Sequence, residues 1–134
     1  MIQFDQDMTL QEQFEFFQLE ENRRDLPEFL NELNISDVAQ LIEEKWEQAT
    51  EIIAHLSIHR AASTFKILEL SIQKDIIKDL QPLKTAALLN ELPADDRTAF
   101  LEELPTKVVR ELIKLLNPEE RKITLSMLGY PEDS

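Results

Sequence analysis

The stretch that decides the fold is residues 80–127, which read LQPLKTAALLNE, LPADDRTAFLEE, LPTKVVRELIKL and LNPEERKITLSM in four consecutive blocks of 12. Each block begins with a leucine. The same spacing extends outward in both directions, so that seven leucines share one register: Leu56, Leu68, Leu80, Leu92, Leu104, Leu116 and Leu128. Nine places after six of these leucines stands another large apolar residue: Phe65, Ile77, Leu89, Leu101, Ile113 and Leu125. Most of the chain is therefore one repeated structural unit.

The repeat predicts many short helices rather than one long helix. A step of 12 residues rotates an α-helix by roughly 120°, which would spread the leucines around the circumference of a single helix. Prolines also follow the register leucines by one or two places, at Pro82, Pro93, Pro105 and Pro118. A proline ends one helix and can open the next at its first turn. We therefore expect helices of about three turns each, stacked on one another.

A second, slower alternation predicts that these helices form pairs. Five places after the register leucine, small or apolar residues alternate with long polar ones, in the order Ala61, Gln73, Thr85, Arg97, Val109 and Arg121. The full period is thus 24 residues, which is typical of helical hairpins in which one helix is buried over more of its circumference. The predicted fold class is all-α, a stack of helical-hairpin repeats of about 24 residues.

Three parts of the chain differ in pattern. Residues 1–31 fall outside the register and are predicted to form an N-terminal capping element, with a helix near residues 8–21 and a short helix opened by Pro27. Residues 32–128 form the helical-repeat stack, and residues 129–134 begin a linker after a left-handed cap at Gly129. Helix starts are predicted at residues whose side chains can accept a bond from backbone amides: Ser36, Ser57, Ser71, Thr106 and Asn117.

Composition excludes several classes of function. The chain carries 27 Asp and Glu against 14 Lys and Arg, a formal charge of −13, which disfavours nucleic acid and anionic membranes as partners. It has no cysteine, and its single glycine excludes a glycine-rich phosphate loop. No stretch approaches the length of a membrane span, so we expect this segment not to enter the membrane.

Two candidate ligand sites have simpler interpretations. His55 and His59 have the i, i+4 spacing of a zinc pair, but a predicted helix boundary separates them and no third ligand stands at a defined spacing. Trp46, the only tryptophan, stands among glutamates and is most simply a half-buried packing residue. Hydroxyl residues fall mainly at helix starts, so no catalytic triad can be argued and an enzyme is not expected.

Acidic pairs are the remaining chemistry: Asp95 with Asp96, Glu102 with Glu103, Glu119 with Glu120, and Glu132 with Asp133. Most are expected to be solvated or to complement helix dipoles. Asp95 and Asp96 differ because two carboxylates at one exposed helix start suit a hard cation such as Mg²⁺. Mg²⁺ keeps several waters and takes one or two carboxylates, so a second acidic surface would have to complete the site.

Three segments give the chain a resemblance to a known family. The units LNISDVAQLIEE and LPADDRTAFLEELP, with the closing LGYPEDS, resemble the N-terminal cytosolic domain of MgtE-type magnesium transporters over roughly residues 26–134. In that family a Tyr-Pro-Glu-Asp run followed by a small residue leads into a pair of CBS domains, and residues 130–134 match it. The resemblance implies a right-handed superhelix of short helices and a regulatory cytosolic domain of a cell-membrane protein.

The resemblance also implies a mechanism and partners. Mg²⁺ would bridge acidic faces of the helical domain and of CBS domains in the same polypeptide, favouring a closed pore, and the full-length protein would be a homodimer. The family's metal-binding aspartate matches Asp95, whereas an acidic position used in some members falls on Ser63, which cannot supply a carboxylate. The alternative is a stand-alone helical-repeat scaffold that binds proteins, as in the flagellar motor switch.

Overall fold

The computed structural model describes residues 7–130, which contain ten α-helices, two 3-10 helices and no strand. The predicted all-α fold class is confirmed. None of the helices in this range is both long enough and apolar enough to cross a bilayer. The α-helices are α1 Leu10–Gln18, α2 Leu26–Glu32, α3 Ile35–Glu44, α4 Ala49–His55, α5 Ile58–Phe65, α6 Leu70–Asp79, α7 Pro82–Glu91, α8 Ala94–Leu101, α9 Thr106–Ile113 and α10 Pro118–Leu128; the 3-10 helices are Glu20–Asp25 and Trp46–Gln48.

The chain divides into two compact units, Met1–Lys78 and Asp79–Ser134. In the first unit α3 packs against α5, and α2 packs against α4. In the second unit α8 packs against α10. Each unit thus places a helix against its second neighbour along the chain, which is the pairing that a repeat of two short helices produces.

The phenylalanine-rich start belongs to the packed core of the first unit. Helix α1 contacts α2 and α3, and the Phe17 and Phe29 rings stack with their centroids 4.7 Å apart. Phe14 is 0% exposed. The predicted long helix of residues 8–21 is instead α1 followed by a 3-10 helix, because the chain turns extended at Leu19. The predicted helix at Pro27 is confirmed as α2. The assignment of residues 1–31 as a capping element stays a prediction.

The register leucines form the inner side of the helices, as the periodicity predicts. Five of the seven are buried and the other two are partly buried. Their partners nine places on are also buried, except for the partly buried Ile77. The buried register leucines are Leu56, Leu68, Leu80, Leu92 and Leu116.

The structure corrects the meaning of the 24-residue alternation. Gln73 and Arg97 are buried like the small residues that alternate with them, and Arg121 is partly buried. Each bonds backbone carbonyls at the end of the preceding helix: the Gln73 amide donates to Phe65 O, and the Arg121 guanidinium donates to Leu116 O. These carbonyls have no partner within their own helix. The polar residues therefore cap helix ends inside the fold, rather than marking an exposed helix.

Helix starts follow the prediction only in part. Asn117 caps α10, where its side chain accepts from Glu120 N at 2.9 Å. Ser57 holds the N-cap position of α5 without a side-chain bond to the helix. The predictions for Ser36, Ser71 and Thr106 are wrong because these residues lie inside the first turns of their helices. At the other end of the chain Gly129 is left-handed, with φ of 78°, and caps α10 as predicted. The rest of the predicted linker, residues 131–134, lies outside the described residues.

Candidate functional site

Asp95 and Asp96 both lie in the first turn of α8. Asp95 is exposed and Asp96 is partly buried, so the two neighbouring carboxylates reach the surface at one helix start, as the sequence predicts. The preceding N-cap residue is Pro93, which provides no side-chain bond to the first-turn amides. The positive end of the α8 dipole therefore faces these carboxylates directly and stabilises their ionised form.

The basic residue next to this pair is directed away from it. Arg97 is 0% exposed, and its guanidinium is fully used inside the second unit. It donates to Thr124 Oγ1 at 2.8 Å and to Glu120 Oε1 at 2.6 Å. Within the described chain, neither Asp95 nor Asp96 takes part in an ion pair. The local excess of negative charge at the start of α8 is thus not neutralised by the adjacent arginine.

This pair could hold a hard cation but cannot enclose one. Residues 7–130 contain no group of three or more acidic or histidine side chains that could hold a metal ion. Two carboxylates are a fitting donor set for Mg²⁺, which keeps much of its hydration shell. The partial positive charge of the helix start opposes a cation, so the pair alone would bind weakly. The donor chemistry therefore fits a shared site that another acidic surface completes.

The other sequence candidates do not assemble into a site. His55 ends α4 and His59 lies in α5, so the predicted helix boundary between them is confirmed. Glu102 and Glu103 are exposed after α8, whereas Glu120 is the ion-pair partner of Arg97. The pair Glu132 and Asp133 lies outside the described residues. Ser63 is partly buried in α5 and offers a hydroxyl where a carboxylate would be required.

Sequence reasoning missed one surface feature of the first unit. Trp46 is 56% exposed, more than a half-buried packing residue, and lines a cavity of about 400 Å³ together with acidic side chains. The sequence signal that could have found it is the break in the 12-residue register at KWEQATEIIAH, residues 45–55. The break marks where the chain does not simply repeat its packing.

The fold and the acidic helix start together define a class: an all-α helical-repeat domain with a metal-binding surface that another domain could complete. The chain belongs to the family of the MgtE intracellular N domain, which matches residues 33–133. It is a cytosolic regulatory domain of the MgtE type, and the resemblance that the sequence indicates is confirmed.

A solved structure agrees with this assignment. The chain is similar to the crystal structure of the cytosolic domain of the Mg²⁺ channel MgtE in complex with ATP, with a TM-score of 0.80 and 26% sequence identity. The similarity covers 92% of this chain and 51% of that chain, so this chain spans about half the length of the solved domain. A search of curated protein sequences gave no match.

Proposed function

We propose that this domain senses intracellular Mg²⁺ for a magnesium transporter, through a site shared between the start of α8 and CBS domains of the same polypeptide. The observation that carries the proposal is the surface pair Asp95 and Asp96, which has no neutralising partner among the described residues. Family membership and the similarity to a Mg²⁺ channel support the choice of ion. The role is regulatory rather than catalytic.

The proposed mechanism is a balance between repulsion and bridging. Like charges a few ångströms apart repel by about 1 kcal/mol per pair in water, and by more where the dielectric constant falls. Without Mg²⁺, the α8 carboxylates and an acidic CBS surface therefore separate. A hydrated Mg²⁺ between the two surfaces replaces repulsion with attraction and favours a compact arrangement. Because the ion binds the compact state better, its concentration shifts the equilibrium.

The whole protein supplies what this chain does not contain. In the proposal, the compact state of the cytosolic domains favours a closed pore, and the open state returns when cytosolic Mg²⁺ falls. The full-length protein is proposed to be a homodimer, so two copies of this domain would act on one pore. The similarity to a longer solved domain supports the presence of further cytosolic structure in the relative.

The test is a Mg²⁺ titration of the longer polypeptide that contains the CBS domains, with compaction followed by small-angle X-ray scattering. The expected result is a decrease in radius of gyration with rising Mg²⁺, and a shift of the midpoint to several-fold higher Mg²⁺ in the double variant Asp95→Asn and Asp96→Asn. The matched control is Glu102→Gln with Glu103→Gln, which removes the same charge from exposed positions just after α8. Equal midpoints for both variants would reject Asp95 and Asp96 as the site.

A further inference from the structure

The connection between α3 and α4 departs from the repeat. Lys45 stands 12 residues after Leu33, where the register calls for a leucine. Its Nζ pairs instead with a Glu15 carboxylate oxygen at 2.8 Å. In the second unit the corresponding connection, residues 102–105, keeps a partly buried leucine, Leu104. The register position is thus given up in the first unit, and the next residue, Trp46, begins a 3-10 helix.

Trp46 forms part of a cavity rather than part of the core. More than half of its surface, 56%, is exposed, which is unusual for the largest apolar side chain. The cavity of about 400 Å³ is lined by Glu43, Trp46, Glu69, Ser71, Ile72 and Asp75, all in the first unit. Ile72 is 8% exposed. The cavity thus combines an apolar surface, from Trp46 and Ile72, with three carboxylates.

The three carboxylates are exposed and keep their charge available. Glu43, Glu69 and Asp75 make no ion pair with any residue in the range 7–130. Three negative charges around one cavity attract a cation and repel phosphates and other anions. They do not form a group that could hold a metal ion by themselves, as far as the described residues go. The charge and the aromatic surface together favour an organic cation.

A guanidinium group matches both parts of this cavity. It is planar and delocalised, it stacks on the face of an indole ring, and its five N–H donors suit carboxylates. An ammonium group is more strongly hydrated and offers no flat face to the ring. The cavity lies at the small end of the range of about 300–1,000 Å³ for ligand sites, so it suits one side chain better than a large molecule.

We propose that this cavity binds an arginine side chain of a basic protein segment, with the guanidinium stacked on Trp46 and paired with Glu43, Glu69 and Asp75. The complementary charge of the chain, −13 overall, favours a basic partner and disfavours a nucleic acid. The proposal is independent of the magnesium site, because Asp95 and Asp96 lie in the other unit. It makes the first unit a docking surface for a protein segment.

Trp46 is the only tryptophan in the chain, so intrinsic fluorescence reports directly on this cavity. The experiment titrates the full chain with hexaarginine, with hexacitrulline as a neutral peptide of the same shape. We expect a saturable change in Trp46 emission with hexaarginine and none with hexacitrulline. Hexalysine should bind more weakly than hexaarginine. No emission change with hexaarginine at millimolar concentration would overturn the proposal.

Matched variants separate the cavity from the general acidity of the chain. The cavity variant carries Glu43→Gln, Glu69→Gln and Asp75→Asn. The control carries Glu102→Gln, Glu103→Gln and Glu111→Gln, three exposed positions in the second unit, and changes the net charge equally. We expect about tenfold weaker binding in the cavity variant, from three exposed charge pairs, and less than about threefold in the control. Equal weakening in the two variants would mean binding by bulk charge and would overturn the proposal.

A second readout covers the aromatic contribution and the fold. Calorimetry with hexaarginine on Trp46→Ala should show binding weakened several-fold, because the stacking surface is lost while every carboxylate remains. Far-ultraviolet circular dichroism checks that each variant keeps its helical content. Unchanged affinity in a folded Trp46→Ala variant would exclude stacking on Trp46. Unchanged binding after Asp95→Asn and Asp96→Asn is expected, whatever those changes do to Mg²⁺ sensing.

Discussion

Arg97 Nη2 lies 2.6 Å from Glu120 Oε1, and this ion pair joins the start of α8 to the first turn of α10 while the arginine is completely buried. The same guanidinium donates through Nη1 to Leu89 O and Leu92 O, both at 3.1 Å, at the end of α7. A single side chain thus holds the ends of three helices. The aspartates just before Arg97 are left at the surface because Arg97 turns inward.

The first unit solves the same problem from a different helix. Leu30 and Leu33, at the end of α2, correspond in the repeat to Leu89 and Leu92, and their carbonyls accept from the guanidinium of Arg60 in α5. At the place of Arg97 the first unit has the buried Val38. At the place of Arg60, one residue from the 59-residue offset, the second unit has Glu120. The cation has changed helices between the two repeats, while the carbonyls that it caps have not.

Replacing Arg97 should destabilise the second unit strongly. Arg97→Met leaves two helix-end carbonyls and the Glu120 carboxylate without their partner. Breaking one partner of a buried pair costs about 3–5 kcal/mol, and we expect the lower end because the Glu120 side chain is 30% exposed. Urea unfolding followed by circular dichroism measures the loss. The exposed Arg110→Met is the control and should change stability by less than about 0.5 kcal/mol.

Asn90 should be needed to hold the connection between α9 and α10. Its Nδ2 donates to Leu115 O at 3.2 Å, and its Oδ1 accepts from Asn117 N at 2.9 Å. Asn31 makes the same two bonds in the first unit, to His55 O at 3.0 Å and from Ser57 N at 2.9 Å.

Asn90→Asp keeps the acceptor, removes the donor and places a carboxylate against a carbonyl. We expect each aspartate variant to lose about 1–3 kcal/mol of unfolding free energy in urea. Gln40→Ala, on the exposed face of α3, should lose none. A pair of aspartate variants as stable as the unsubstituted chain would show that the two amide clamps do not contribute.

Phe17 should anchor α1 more firmly than its neighbour Phe16. Phe17 is 5% exposed and stacks on Phe29, whereas Phe16 is partly buried and meets Phe17 edge to face at 5.4 Å. Phe17→Ala should cost about 3–5 kcal/mol, and Phe16→Ala clearly less. Urea unfolding followed by Trp46 fluorescence reports on the first unit, where Trp46 lies. Equal losses in the two variants would contradict the packing described for α1.

The isolated chain should bind Mg²⁺ weakly, near millimolar or worse, because the described residues provide only part of a coordination shell. Calorimetry should show this weak binding fall further in Asp95→Asn, with Glu102→Gln as the matched change of charge. Micromolar affinity that survives Asp95→Ala would contradict both the shared site and the residue chosen for it.

Gly129 should be the most sensitive cap of the last helix. Its φ of 78° lies in the left-handed region, although a Cβ there would meet nothing within 4 Å. Gly129→Ala should therefore cost about 1 kcal/mol from backbone strain alone, without a steric clash. Gly129→Asn should cost less because asparagine tolerates this conformation better. Thermal unfolding compares the two, and an alanine variant with the higher Tm would contradict the assignment.

Much of the fold could be predicted from the chain because its strongest signals are local and periodic. Leucine spacing and prolines indicate short helices, and the buried register positions confirm this. Helix starts were harder: the chain begins α8 and α9 after Pro93 and Pro105 at the N-cap, where no side-chain bond forms, so hydroxyl residues nearby were misleading. The Ser57 N–H finds its partner in Asn31, 26 residues away, which no local pattern reveals.

The candidate site divides in the same way. The sequence by itself determined that Asp95 and Asp96 begin a helix, because proline, register leucine and acidic first turn are neighbours in the chain. Only the tertiary structure decided that they remain without an ion pair among the described residues, since Arg97 finds its partners on α7 and α10. It also decided that Trp46 shares a cavity with Glu69 and Asp75, residues more than 20 positions away. Repetition fixes local packing, whereas the partner of each long polar side chain depends on which helix ends the fold brings within reach.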